Sequence, residues 1–134
     1  MSFPLKTITD REAIKRDLEY YRVRVPDQGT PAMTFSIFTI LYSRLNDPEN
    51  AYRYFKESFT DFLKKPFNVF AESKWGTNPY FLTGAGGVIQ SMVFGFGGYD
   101  ITENGIKKVA SSIPSQWKKV TIKGFIEDNI HMRQ

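Results

Sequence analysis

A mainly α fold that closes with a small antiparallel β segment is predicted from three features of the sequence. Apolar residues recur at helical spacing in four stretches before about residue 97. Helix-start chemistry stands ahead of two of them, as Thr9-Asp10-Arg11-Glu12 and as Asp47-Pro48-Glu49. After Gly98 the period changes to two around Asn104-Gly105, and Asn-Gly is a strong short-range hairpin signal. The 134 residues suit one domain, since a chain of ~150 residues buries ~70% of its unfolded surface.

The elements follow in order. In the Thr9–Glu12 capping box the Thr9 hydroxyl can accept a free helix N–H while Glu12 reaches back, and Ile14, Leu18 and Tyr21 continue the period. A helix is therefore expected over about residues 10–21. Pro26, Asp27, Gly29 and Pro31 break the chain. Ala32 to Leu45 carries Met33, Phe35, Ile37, Phe38, Ile40, Leu41, Tyr42 and Leu45, apolar on nearly every side, which predicts a central helix. Asp47 as cap and Pro48 in the first turn open the next helix, whose Ala51, Phe55, Phe59 and Phe62 mark one face ending near Leu63.

Lys64 to Leu82 shows no clear periodicity yet is rich in aromatics: Phe67, Phe70, Trp75, Tyr80 and Phe81. A long connection of this composition is usually functional, and this loop is the predicted site. Thr83 is the expected cap of a helix with Val88, Ile89, Met92, Val93 and Phe96 as its stripe, ended by Gly95, Gly97 and Gly98. Strands are expected over Tyr99–Thr102 and Ile106–Val109. Trp117, Val120 and Ile122 predict a third strand ending near Phe125, ahead of a polar tail.

Several function classes are excluded or disfavoured. The 18 basic and 14 acidic residues give a net charge of +4, but the basic residues are scattered, with the lysine pairs Lys64-Lys65, Lys107-Lys108 and Lys118-Lys119 as the tightest groups. Such pairs suit solvated strand edges better than a phosphate-binding block, so no nucleic-acid partner is expected. No run of about 18 apolar residues is present, so no membrane-spanning helix and no membrane partner are expected. No signal peptide is visible at Met1–Lys6, and the compartment stays open. Cysteine is absent and His131 is the sole histidine, which leaves no support for a thiolate or histidine metal site or a Ser-His-Asp triad. Gly84-Ala85-Gly86-Gly87 lacks the Gly-Lys-Ser/Thr of a phosphate loop, and Ile89 stands where the third glycine of a dinucleotide fingerprint would fall. Close helix packing is its expected purpose, and no cofactor and no metal are expected.

Glu72 is the only carboxylate between Asp61 and Asp100, and it lies in the aromatic loop beside Lys74 and Trp75. A carboxylate among ring faces is what glycoside hydrolysis needs: a base for water and apolar walls for a sugar. Residue types alone favour the plainer alternative, a loop glutamate paired with Lys74.

Three blocks resemble the carboxy-terminal part of glycoside hydrolase family 65, whose members are hydrolases and phosphorylases of α-linked glucosides. The first is Gly29-Thr30-Pro31-Ala32-Met33-Thr34-Phe35-Ser36-Ile37, running on to Arg44-Leu45-Asn46-Asp47 and Ala51-Tyr52. The second is Phe70-Ala71-Glu72-Ser73 with Asn78-Pro79-Tyr80-Phe81-Leu82-Thr83-Gly84-Ala85-Gly86-Gly87. The third links Gln90-Ser91 through Phe94-Gly95-Phe96-Gly97-Gly98 to Pro114-Ser115-Gln116-Trp117-Lys118.

The resemblance implies a partial (α/α)6 barrel, its last helices over residues 1–97, then the start of a small β-domain over 98–125 and a tail over 126–134. It is nearest to the hydrolytic, kojibiose-hydrolase-like branch. There the carboxylate of the Ala-Glu-Ser segment is the general base, which carries over to Glu72 and raises the catalytic reading above the plain one. The loop's composition adds Trp75 and Phe70 as apolar walls and Asn78 as a bond to a sugar hydroxyl. The implied partner is an α-linked, glucose-containing oligosaccharide. The family's general acid lies on an earlier segment, so none is expected in this chain. The chain is therefore expected to be inactive alone and to associate with itself or with the missing part of the barrel. A phosphorylase fragment, in which phosphate replaces the activated water, and a non-catalytic helical module that binds a sugar or a protein are the alternatives.

Overall fold

The computed structural model describes residues 2–26, 29–76 and 78–124. Helix α1 spans Arg11–Arg22, α2 Ala32–Arg44, α3 Pro48–Glu57 and α4 Leu82–Gln90. The last runs without a break into a π-helical stretch, Ser91–Phe96. Strands β1 (Leu63–Lys64) and β2 (Val69–Phe70) form one antiparallel pair, and β3 (Tyr99–Thr102) and β4 (Gly105–Lys108) another. The fold is mainly α with two small antiparallel sheets.

Helix α2 is the centre. Ala32, Phe35, Ser36, Phe38, Thr39, Ile40, Tyr42 and Ser43 are all buried along it, as its all-round apolarity predicts. On one side Tyr54 of α3 stacks on Tyr42 at 5.4 Å and meets Phe38 edge-on at 5.1 Å. On the other, α4 and the π-helical stretch lie close because glycines face α2. A Cβ at Gly87 would sit 2.9 Å from Ser36 Oγ, and one at Gly95 would sit 3.3 Å from Ile40 Cα. Close packing thus accounts for Gly84 and Gly87 of the glycine run, as expected, whereas a Cβ at Gly86 would meet no atom within 4 Å.

Three sequence expectations change in detail. Asp10, not Thr9, caps α1, its carboxylate accepting the Ala13 N–H at 2.7 Å; the two neighbouring residues offer the same chemistry one position apart. Phe81 occupies the cap position of α4 with no side-chain bond, so Thr83 lies inside the helix. Helix α3 stops at Glu57 and reaches Phe62 through tight turns, since Ser58 and Thr60 return their hydroxyls to the carbonyls of Phe55 and Lys56. Asp47 does cap α3, accepting the Asn50 N–H at 3.1 Å, with Pro48 in its first turn.

The predicted third strand is not formed among the described residues. Residues 109–124 run as irregular chain against the core, where Ile113, Trp117 and Val120 pack. The alternation that suggested a strand reflects half-buried anchors: Trp117 packs edge-on against Tyr52, Phe55 and Phe96. Phe125, His131 and the predicted tail lie outside the described residues.

The β3–β4 hairpin forms as predicted, although Gly105, at φ +101, opens β4 and leaves Glu103-Asn104 as the turn. Arg44, at the end of α2, anchors it by donating to Phe94 O, Tyr99 O and Asp100 Oδ1 at 3.0–3.2 Å. Lys6 pairs with the same buried carboxylate at 2.9 Å. Ser43 and Ser112 exchange hydrogen bonds beyond it, Ser43 Oγ donating to Ser112 O at 2.6 Å and Ser112 N to Ser43 O at 2.9 Å.

Candidate active site

The expected structureless loop is partly built. β1 and β2 pair through Leu63–Phe70 and Lys64–Val69, and Ala71 N donates to Phe62 O at 2.8 Å. Ala71 is wholly buried and the next residue, Glu72, is exposed, so the chain surfaces at the carboxylate. Phe70 stacks on fully buried Phe62 at 5.9 Å and 16°, and its ring lies against Gly84, where a Cβ would come within 2.5 Å of it. Phe81 N returns to Phe70 O at 2.8 Å, which closes the base of the loop.

Beyond Glu72 two further links fix the path. Ser73 forms an isolated antiparallel bridge with Pro31, so the first and second sequence blocks meet here. Lys64 Nζ donates to the carbonyls of Asp61 and Lys74. The Lys74 ammonium pairs with Asp61 at 3.2 Å and lies 5.1 Å from the Phe35 ring centroid. Lys74 is therefore not the partner of Glu72, and the plain loop-pair alternative falls away. Among the described residues Glu72 has no ion pair.

The partner of Glu72 is Asn78. Its Nδ2 donates to Glu72 Oε2 at 3.3 Å, and Glu72 N donates to Asn78 O at 3.4 Å. The two predicted residues are thus brought together, with Asn78 turned to the carboxylate. Trp75 is three-quarters exposed, a free ring on the same loop, whereas Phe70 is half-buried and supports the loop from beneath. Sequence reasoning did not single out Tyr80, which is 79% exposed at φ +65. The signal was present in Asn78-Pro79-Tyr80, a turn former and a proline ahead of an aromatic ring. Among the described residues no group of three or more His, Asp or Glu side chains is placed to hold a metal, and no helix is long and apolar enough to cross a membrane.

No family model matches the sequence. Individual proteins do. The chain is 58% identical over 124 residues to a kojibiose hydrolase of Mucilaginibacter mallensis and 54% over 126 residues to one of Flavobacterium johnsoniae. These matches take in 92% and 93% of the chain. The chain is homologous to a segment of these kojibiose hydrolases. It spans 18% of the length of each of these two relatives. A kojibiose phosphorylase of Thermoanaerobacter brockii is 30% identical over 122 residues, 90% of the chain and 15% of that protein. Hydrolases and a phosphorylase are therefore both among its relatives, the two hydrolases at the higher identity.

Proposed function

We propose that this segment supplies the general base and part of the sugar pocket of an inverting hydrolase of α-linked glucosides. The observation that carries the reading is Glu72, raised on a pinned loop with one carboxylate oxygen against Asn78 and free rings beside it in sequence. In this reading an acid outside the segment protonates the glycosidic oxygen. Water attacks the anomeric carbon from the opposite face, the C–O bond to the leaving sugar breaks, and Glu72 takes the water's proton. Room for that water requires the two carboxyls to stand ~6.5–9.5 Å apart. Trp75 forms an apolar wall, Phe70 holds the floor, and Asn78 orients the base while its remaining N–H reaches a sugar hydroxyl. Helices α1–α4 are then the last helices of an (α/α)6 barrel over residues 1–97, with the hairpin opening a small β-domain over 98–125.

Hydrolysis is favoured over phosphorolysis by one feature of the fold. Phosphate needs basic or hydroxyl partners; of the hydroxyls Thr34 and Ser36 in the first block, Thr34 is partly exposed, whereas Ser36 is 1% exposed and wedged against Gly87. An anion cannot reach it without separating α2 from α4.

A chimera tests the reading: this chain replacing the matching stretch of the Mucilaginibacter kojibiose hydrolase, with glucose release from kojibiose as the readout. The chimera should turn over, and Glu72→Gln should lower kcat ~10²–10⁴-fold with little change in substrate binding. Full activity of the Gln variant removes Glu72 from the mechanism. Asn78→Ala should reduce kcat more than it raises KM, as expected of a residue that orients the base. The isolated chain should release no glucose, because it carries a base without an acid; appreciable release would contradict the proposal.

A further inference from the structure

Tyr80 stands in the open at a backbone geometry that its residue type does not favour. Its φ is +65, in the left-handed region where a Cβ crowds the following carbonyl and which glycine and asparagine enter most readily. Burial does not offset that cost. The ring is 79% exposed, and among the described residues no hydrogen bond or ring contact holds the side chain.

The geometry is imposed from both sides. Glu72 N donates to Asn78 O at 3.4 Å and Phe81 N to Phe70 O at 2.8 Å, so residues 78–81 are tied along 70–72. Between these two bonds Ala71 alone is matched by two residues, Pro79 and Tyr80. That two-against-one offset is the arrangement of a β-bulge, a device that re-aims a side chain and recurs beside active sites. Pro79 contributes a fixed φ immediately before the offset residue. Strain that the surrounding chain over-determines in this way clusters at ligand clamps and active sites.

We infer that Tyr80 is a substrate-binding ring of the site, held out by this offset so that its face stacks on the apolar C–H face of a sugar unit. The role rests on the reading of the Glu72 loop as part of a sugar pocket, and two features select a sugar as the occupant. Tyr80 lies two residues from Asn78, whose amide bonds the Glu72 carboxylate, so one short segment sets both the ring and the base. A phenol is apolar on its faces and polar at one edge, which matches a pyranose with an apolar C–H face and a rim of hydroxyls.

The kojibiose hydrolase chimera tests this role by steady-state turnover of kojibiose with thermal unfolding alongside. Tyr80→Ala should raise KM ~10-fold and change kcat little, as loss of a contact made equally to substrate and transition state does. Tyr80→Phe, which keeps the ring, should return KM to the parent's value. Tyr80→Gly should raise KM as alanine does while holding the unfolding midpoint at or above the parent's, because glycine takes a φ of +65 without a Cβ clash. An unchanged KM in the alanine variant overturns the inference, as does a phenylalanine variant no better than alanine. A midpoint lowered by several degrees in both the alanine and glycine variants shows the ring packed against the rest of the enzyme and overturns it too. Failure of the Glu72 assignment would appear in the kcat of Glu72→Gln and failure of this one in the KM of the Tyr80 variants, so the two are told apart.

Discussion

Asp100 shows how one side chain can join three parts of the chain. Burial pushes its carboxyl up, but the hydrogen bond from Lys6 and the charge of Arg44 outweigh that and hold it below the usual aspartate range. A depressed native pKa means that the unfolded chain takes up the proton first as pH falls. Stability from this group is therefore complete above the ordinary aspartate pKa of about 3.9 and is lost as pH falls through the depressed native value. Asp100→Asn should cost about 1–3 kcal/mol in urea unfolding at pH 7, since two cations lose their counter-charge and one of the two carboxylate oxygens becomes an amide donor. The difference from the parent should shrink as the pH of the titration is taken below 4. A gap of the same size at pH 7 and at the acid end would show that the carboxylate's charge contributes nothing. Tyr42 works on a smaller scale: its buried hydroxyl donates to Glu19 at 2.9 Å and, with Arg22, lowers that carboxyl's pKa. Tyr42→Phe should lower stability by about 1 kcal/mol by the same measurement.

At the scale of elements, the α4–loop contact links packing to the site. Gly84→Ala would drive a methyl into the Phe70 ring, which is already stacked on Phe62 and cannot retreat into the core. A cost of about 1–3 kcal/mol is expected in equilibrium unfolding. In the chimera described above, turnover should fall with it, because Phe70 lies two residues before Glu72; unchanged stability would mean that the ring has room to swing. What the sequence revealed at this scale follows from which signals are local. α1, α2, α3 and the β3–β4 hairpin were readable because their periods, caps and turn residues lie within a few positions of each other. The β1–β2 pair was not, since two residues per strand carry no alternation, and its turn runs through Pro66 and the positive-φ Asn68. Residues 109–124 misled for the opposite reason, as half-buried anchors on irregular chain imitate a period of two. Within the candidate site the isolation of Glu72 was visible in one dimension. Its partner was not, because Asn78 meets it only after the chain has turned back.

For the whole molecule, the aromatic share of 16% now divides by place. Phe35, Phe38, Tyr42, Tyr54, Phe62 and Phe96 are buried around α2, while Phe67, Trp75 and Tyr80 stand more than 70% exposed on and beside the Glu72 loop. A chain with this surface should bind a dye that reports exposed apolar area, and its sedimentation should depend on concentration. Weak dye binding by a concentration-independent monomer would argue for a free-standing module instead.

The Pro31–Ser73 bridge bears on whether the site can be transplanted. It ties the Glu72 loop to the segment that precedes α2, more than forty positions earlier in the chain. A graft of the loop with both its flanking strands would move the carboxylate but leave behind the Pro31 bridge partner that holds Ser73 beside it. The unit to exchange between homologous enzymes is therefore the continuous stretch from Gly29 to the end of α4, and any shorter graft would transfer the residue without its position.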